Sequence, residues 1–168
     1  RIGHLDDSGL IAKRIGYSTR RLLVHPEYLR QYALHAKLPE HPDDLVHMNC
    51  IVYTGSSFKQ SWRFSGAQGR QGGSPQPLTV RVEGNIQTNS SEVIRQAVLL
   101  GMGVAYCPDW LLAEEIKAGQ VCEILPGWSE PPSPIWFVYP PQRKDSLKVR
   151  VLGDFLQARY SALLLPSQ

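Results

Sequence analysis

The stretch NSSEVIRQAVLLGMGVAYC, residues 89–107, decides the fold. Asn89 is a residue type that caps helices, and Glu92 stands three residues on, the capping-box spacing. Val93, Ile94, Ala97, Val98 and Leu100 fall on one apolar face at helical period, and Gly101 is placed to end the helix. Gly103-Val104-Ala105-Tyr106-Cys107 then reads as a short buried strand.

The same alternation continues on both sides. Downstream, Pro108-Asp109 opens a second helix that Gly119 closes, followed by strands at 121–125 and 135–139. A last amphipathic helix, from about Ser146 to Tyr160, puts Leu147, Val151, Phe155 and Ala158 on one side. Upstream, Leu78-Thr79-Val80-Arg81-Val82 alternates cleanly and is expected to return to the sheet. Residues 66–77 hold four Gly and two Pro and read as a loop, not a domain boundary. Trp62-Arg63-Phe64 and Cys50-Ile51-Val52-Tyr53 are strands, the second ending at the turn Thr54-Gly55-Ser56-Ser57. His41-Pro42-Asp43-Asp44-Leu45 starts a helix, and Pro26 sits at the first position of a short one over 26–33. Arg20–His25 is a further strand, and Arg1–Leu5 the end of another, with a loop at Asp6-Asp7-Ser8-Gly9. Strands alternating with short helices argue for an α/β layered protein.

Composition narrows the function. The 168 residues carry 18 Lys+Arg against 15 Asp+Glu, a net charge of +3. The excess is spread along the chain rather than gathered in the basic stripe of a nucleic-acid surface. Cys50, Cys107 and Cys122 are odd in number, lack CxxC spacing and lie in or beside apolar runs. They read as reduced, buried residues of a cytoplasmic protein, not as disulfides or zinc ligands. No apolar run approaches the roughly 20 residues that span a bilayer, and no signal peptide opens the chain. Arg1, inside a strand and without an initiator Met, is the mark expected of a piece cut from a longer protein.

Catalytic readings mostly fail on geometry. His4, Asp6 and Asp7 are near neighbours in a loop, where adjacent side chains point to opposite faces and do not converge on one ion. The five histidines lack the i, i+4 pairing of a zinc helix, so neither metal nor cofactor is expected. Ser56, Ser57, Ser90 and Ser91 have no GxSxG elbow around them. Gly101-Met102-Gly103 follows a helix and precedes a strand, the wrong order for a phosphate cradle.

A binding reading survives. Residues 89–91 present the amino end of a helix just after a strand, where free N–H groups and the helix dipole favour an anion. Asn89, Ser90 and Ser91 add side-chain donors there. Asn89 as a plain helix cap fits equally well. Tyr53, Thr54 and Gly55 end another strand, and such strand ends line the ligand crevice of open α/β sheets. A core tyrosine followed by a turn is the competing reading.

The order of motifs resembles the effector-binding domain of LysR-type transcriptional regulators. Residues 1–16 are similar to that family's "RIG.L.DSSLIARRLG". Arg21–Val24 and Pro26-Glu27-Tyr28-Leu29 follow as a strand and "P.YL". Asp44-Leu45, His47 and Asn49–Ile51 are similar to "DL..H.CL.Y", and Leu100–Trp110 to "GLGIA.LPDW". Trp62–Phe64, Val82–Asn85, Gly119–Val121, Leu125-Pro126, Pro134-Ile135 and Val138–Pro140 complete a pattern over about residues 1–157.

The resemblance implies a two-lobed fold like a type II periplasmic binding protein, with a small anionic or aromatic effector between the lobes and no catalysis. It implies lobe I at 1–46, lacking its first βαβα portion, lobe II at 47–121, and a lobe I return with the C-terminal helix at 122–168. It places Tyr53, Thr54, Gly55, Asn89, Ser90 and Ser91 on the cleft side of lobe II and His4 and Leu5 on that of lobe I, with Pro108 near the opening. It further implies a homodimer or higher homo-oligomer of a bacterial protein. DNA would be contacted only through an N-terminal helix-turn-helix absent from this sequence, and no membrane is involved. The rival readings are an extracytoplasmic solute-binding protein, which needs a signal peptide, and a small α/β hydrolase using Ser90 or Ser91.

Overall fold

Leu22, Val24, Cys50, Val52, Val104 and Tyr106 share one buried cluster, while Leu23, Ile51, Ala105 and Cys107 share another. Strand side chains alternate between faces, so these runs must be covered on both sides. That requirement explains the architecture. The computed structural model describes residues 1–5, 8–55, 60–65 and 77–163, the side chains of 162 and 163 excepted. It divides into two compact units, residues 20–131 and residues 1–19 with 132–168.

The 20–131 unit is built on a five-stranded mixed sheet. Its strands are β2 (Arg20–Val24), β3 (Cys50–Tyr53), β6 (Ile86–Thr88), β7 (Val104–Pro108) and β8 (Cys122–Ile124), in the order β6-β3-β7-β2-β8. β3 runs parallel to β6 and β7, and β2 antiparallel to β7 and β8. One face is covered by the antiparallel pair β4 (Ser61–Ser65) and β5 (Pro77–Arg81), through Trp62, Phe64 and Val80, with Leu45 from the 3-10 turn Pro42–His47. The other carries α2 (Ser91–Leu99) through Ile94, Ala97 and Val98, with Leu112 ahead of α3 (Ala113–Lys117). The short helix α1 (Pro26–Ala33) follows β2. Gly84 lets the chain pass tightly between β5 and β6, since a methyl group there would run into the Cys50 carbonyl.

The other unit is thinner. β1 (Ile11–Ser18) pairs antiparallel with β9 (Ser133–Tyr139), and Ile2 bridges to Ile135 on β9. The helix α4 (Leu147–Leu163) packs on β1. Lys13 Nζ meets Asp154 Oδ1 at 2.6 Å, and the Tyr160 hydroxyl donates to the Tyr17 carbonyl at 2.7 Å.

The helix over 26–33 and the strand at 50–53 lie where the sequence places them, and the helix 91–99 and strands 104–108 and 133–139 lie within two residues of the expected 89–101, 103–107 and 135–139; Gly101 and Gly119 end their helices at positive φ. Other expectations are corrected. Ile11–Ser18 is an eight-residue strand where no strand was expected, because its apolar residues are diluted by Lys13, Arg14 and Gly16. Among the described residues β5 pairs with β4 alone and does not rejoin the main sheet. On α4, Leu147, Val151 and Phe155 are exposed; Val149, Gly153, Leu156 and Tyr160 face inward, since the Gly153 gap admits the Phe137 ring. On α2, Val93 and Leu100 are exposed beside the buried Ile94, Ala97 and Val98. The units divide at 19/20 and 131/132 rather than at 46/47 and 121/122, because β2 and β8 hydrogen-bond into the sheet with β7. Asp6, Asp7, Ser56, Ser57 and the Gly/Pro-rich run 66–76 lie outside the described residues.

Candidate functional site

Parallel pairing of β3 with β6 sets the register Ile51–Ile86, Val52–Gln87 and Tyr53–Thr88. Both strands therefore end at the same level, and the Thr54 N–H donates to the Thr88 carbonyl at 2.8 Å. This bond draws the turn Thr54–Gly55 alongside Asn89, Ser90 and Ser91, at the carboxyl ends of two parallel strands, where such sheets hold ligands. Thr54 and Ser90 are half-buried; Gly55, Asn89 and Ser91 are exposed. The half-buried Tyr53 ring lies over Gly55, where any side chain would strike it.

Ser90, not Asn89, caps α2. Its hydroxyl accepts from the Val93 N–H at 3.4 Å, and its own N–H donates to Thr88 Oγ1 at 3.1 Å. The helix thus starts one residue later than the sequence suggested, and Glu92 turns along it to Gln96 Nε2 at 2.8 Å instead of closing a capping box. The change frees the Asn89 amide from its expected structural duty. The Ser91 and Glu92 N–H groups, in the first turn, have no acceptor within the helix. Thr88 is the residue of this site that sequence reasoning missed; its neighbour Asn89 carried the stronger helix-cap signal.

His4 is exposed and Leu5 half-buried, and both belong to the thinner unit. Pro108 closes β7, half-buried opposite Arg20. An open depression lined by Ile86, Glu92, Val93, Gln96, Ala97, Leu100 and Met102 lies along α2 and shares Glu92 with the strand-end site. Among the described residues no cluster of three His, Cys, Asp or Glu is arranged to hold a metal. No described helix is long and apolar enough to cross a membrane. All three cysteines are free thiols; burial pushes Cys50 and Cys107 up to about 12, and raises the half-buried Cys122 as well.

Residues 1–161 match the LysR substrate binding domain. The chain belongs to that family. It is 28% identical over 162 residues to the HTH-type transcriptional regulator DmlR of Escherichia coli, covering 96% of this chain and 49% of that protein. It is 31% identical over 159 residues to PtxR of Pseudomonas aeruginosa, covering 94% and 47%. The regulatory domain of CrgA from Neisseria meningitidis superposes with a TM-score of 0.75 at 28% identity, over 94% of this chain and 72% of that one. The chain thus spans about half the length of the curated relatives it matches. This is the effector-binding domain of a LysR-type regulator, with the mixed α/β fold of LysR regulatory domains.

Proposed function

We propose that the domain senses a small carboxylate, aliphatic or aromatic, and catalyses nothing. The observation that supports this reading is the Tyr53–Thr88 register, which ends both strands at one level, with the Thr54 turn leaving one strand and the first turn of α2 following the other. A carboxylate seated there gains N–H donors and the positive end of the α2 dipole, with Thr54 and Asn89 supplying further hydrogen bonds. The Ser90 hydroxyl already serves as the helix cap, which favours binding over attack by a serine nucleophile.

In this reading the ligand acts through its difference in affinity between two arrangements of a longer regulator. That regulator would be a cytoplasmic homo-oligomer reaching DNA through a helix-turn-helix, as the HTH-type names of DmlR and PtxR suggest. Three free thiols suit that compartment. We also infer that the first lobe is incomplete. The chain covers 72% of the CrgA regulatory domain, and the thinner unit has no buried apolar side chain among its described residues.

A thermal-shift screen against small mono- and dicarboxylates, aliphatic and aromatic, tests the site. Wild type should be stabilised by at least one of them. The double variant Asn89→Leu, Thr54→Val should keep its fold and lose that rise in Tm. A rise of unchanged size in the double variant removes these residues from the site.

A further inference from the structure

The order His-Pro-acid occurs twice, at His25-Pro26-Glu27 and at His41-Pro42-Asp43. Each copy opens a helical segment with an imidazole as its cap. His25 Nδ1 accepts the Glu27 N–H at 3.1 Å at the start of α1. His41 Nδ1 accepts the Asp43 N–H at 3.3 Å at the start of the 3-10 turn Pro42–His47. Pro26 and Pro42 have no N–H to satisfy, so the imidazole takes the first donor of its segment. Only a neutral ring can do this, because a protonated imidazole donates from both nitrogens and accepts at neither. The two copies differ in what meets the proton. His41 Nδ1 lies 3.2 Å from Asp43 Oδ2, with the Asp44 carboxylate on its own N–H, Glu40 beside it paired to Lys37, and the Trp128 ring edge to face at 4.8 Å. A charged His41 keeps a partner there. His25 has none. Glu27 is turned along α1 to Arg30 and Gln31, and the Gly101 corner packed on His25 brings no titratable side chain. The Tyr28 phenol and, on β8, the Cys122 thiol are engaged elsewhere, with the Asn49 N–H and the Val24 carbonyl.

We propose that His25 is an acid-released latch on α1, holding the helix, and through it Asn49, while the ring is neutral. Protonated, the ring loses the Glu27 N–H and sets a positive charge at the positive end of the helix. Histidine is the side chain whose charge ordinarily changes between about pH 5 and pH 8. The stabilisation is thus present while the ring is neutral and is lost as pH falls. α1 is suited to respond: none of its eight residues is buried, and so short a helix is marginal on its own. Its release reaches the main sheet through one hydrogen bond, from the Asn49 N–H to the Tyr28 hydroxyl at 2.9 Å. Asn49 in turn ties three strand starts together. It leads into β3, and its Nδ2 donates to Asn85 Oδ1 at 2.8 Å, ahead of β6, and to the Met102 carbonyl at 2.5 Å, ahead of β7. Acid therefore loosens the sheet at the ends of β3 and β6 opposite to Thr54 and Ser90. The inference rests on the caps and not on the ligand assigned above.

Amide exchange and the imidazole nitrogen shifts of the 168-residue protein, followed from about pH 7.5 to about pH 5.5, test it. Once corrected for its intrinsic pH dependence, exchange over residues 27–32 and at Asn49 should rise about three- to tenfold, the range expected for one lost helix cap. His25→Asn supplies a cap that does not titrate, so both regions should stay within about twofold over the same range. His41→Asn should leave the wild-type rise in place, because the Asp43 carboxylate already meets that ring's charge. A rise of wild-type size in His25→Asn assigns the acid response to another group and overturns the proposal. Wild-type protection that is equal at both pH values overturns it too, whatever the ring shifts report. So does a rise that His41→Asn abolishes. An Asn49 amide that stays protected while α1 opens overturns the reach of the latch into the sheet.

Discussion

Cys50 and Cys107 show how burial decides the behaviour of a single side chain. Both sit in the sheet, Cys50 with its Sγ toward the Leu45 carbonyl, and desolvation pushes both thiols up to about 12. The thiolate is the reactive species, so at pH 7 either cysteine is almost wholly inert. Cys122 is half-buried near the Val24 carbonyl, and its value is raised by the same cause. With a thiol-reactive aromatic disulfide at pH 7 to 8, one cysteine per chain should react in the native state, slowly, and all three in 6 M urea. Peptide mapping should place the native label on Cys122. Native labelling of Cys107 at a comparable rate would show that β7 opens far more readily than its burial allows.

The start of α2 is where element and site meet. Ser90→Ala removes the cap and should destabilise the 20–131 unit by about 1 kcal/mol, whereas Asn89→Ala should leave stability within about 0.5 kcal/mol of wild type. Urea midpoints at constant m separate the two. The reverse order would restore Asn89 as the cap. The capping box that sequence spacing assigned to residues 89–92 is found instead at 41–44. There the Asp44 carboxylate accepts from the Glu40 and His41 N–H groups at 2.8 and 2.9 Å, and His41 Nδ1 from the Asp43 N–H. Those backbone bonds, Glu40 first, hold the Asp44 carboxyl below the usual carboxylate range. A group depressed on folding contributes stability above its unfolded pKa and loses it as pH falls through the folded value. Acid titration of stability below about pH 4 should therefore flatten in Asp44→Asn; an unchanged acid limb would deny the box any energetic role. The buried strands at 50–53 and 104–108 were legible because their runs are wholly apolar and end in turn residues. β1 was not, because its partner β9 lies more than a hundred residues away and its own alternation is broken at Gly16. Half of the proposed site could be named on the same terms, since the strand end at Tyr53–Gly55 is a local feature of the sequence. Thr88, which carries the bond to Thr54 and receives the Ser90 N–H, becomes visible only once parallel register is known.

At the scale of the molecule, the two units differ in what holds them. Every buried apolar side chain among the described residues lies between Leu22 and Leu125, inside the 20–131 unit. The other unit rests on the β1–β9 pair, half-buried along all of β9, and on one helix whose Leu147, Val151 and Phe155 face outward. Two-stranded pairs with one helix are marginal in water, because hydrophobic burial is the main term that offsets chain entropy. Amide exchange should therefore come in two classes. β1, β9 and α4 should exchange through a low-energy local opening, while β2, β3 and β7 should wait for global unfolding. Residues 20–131 expressed alone should keep native protection in those three strands, since none of their partners lies outside the unit. The salt link Lys13–Asp154 adds little to this balance, being exposed on both sides. Protection of β1 equal to that of β7 would mean the thin unit draws stability from a source other than its own core. That result would point to a second copy of the chain covering the outward face of α4, and the protection should then fall on dilution.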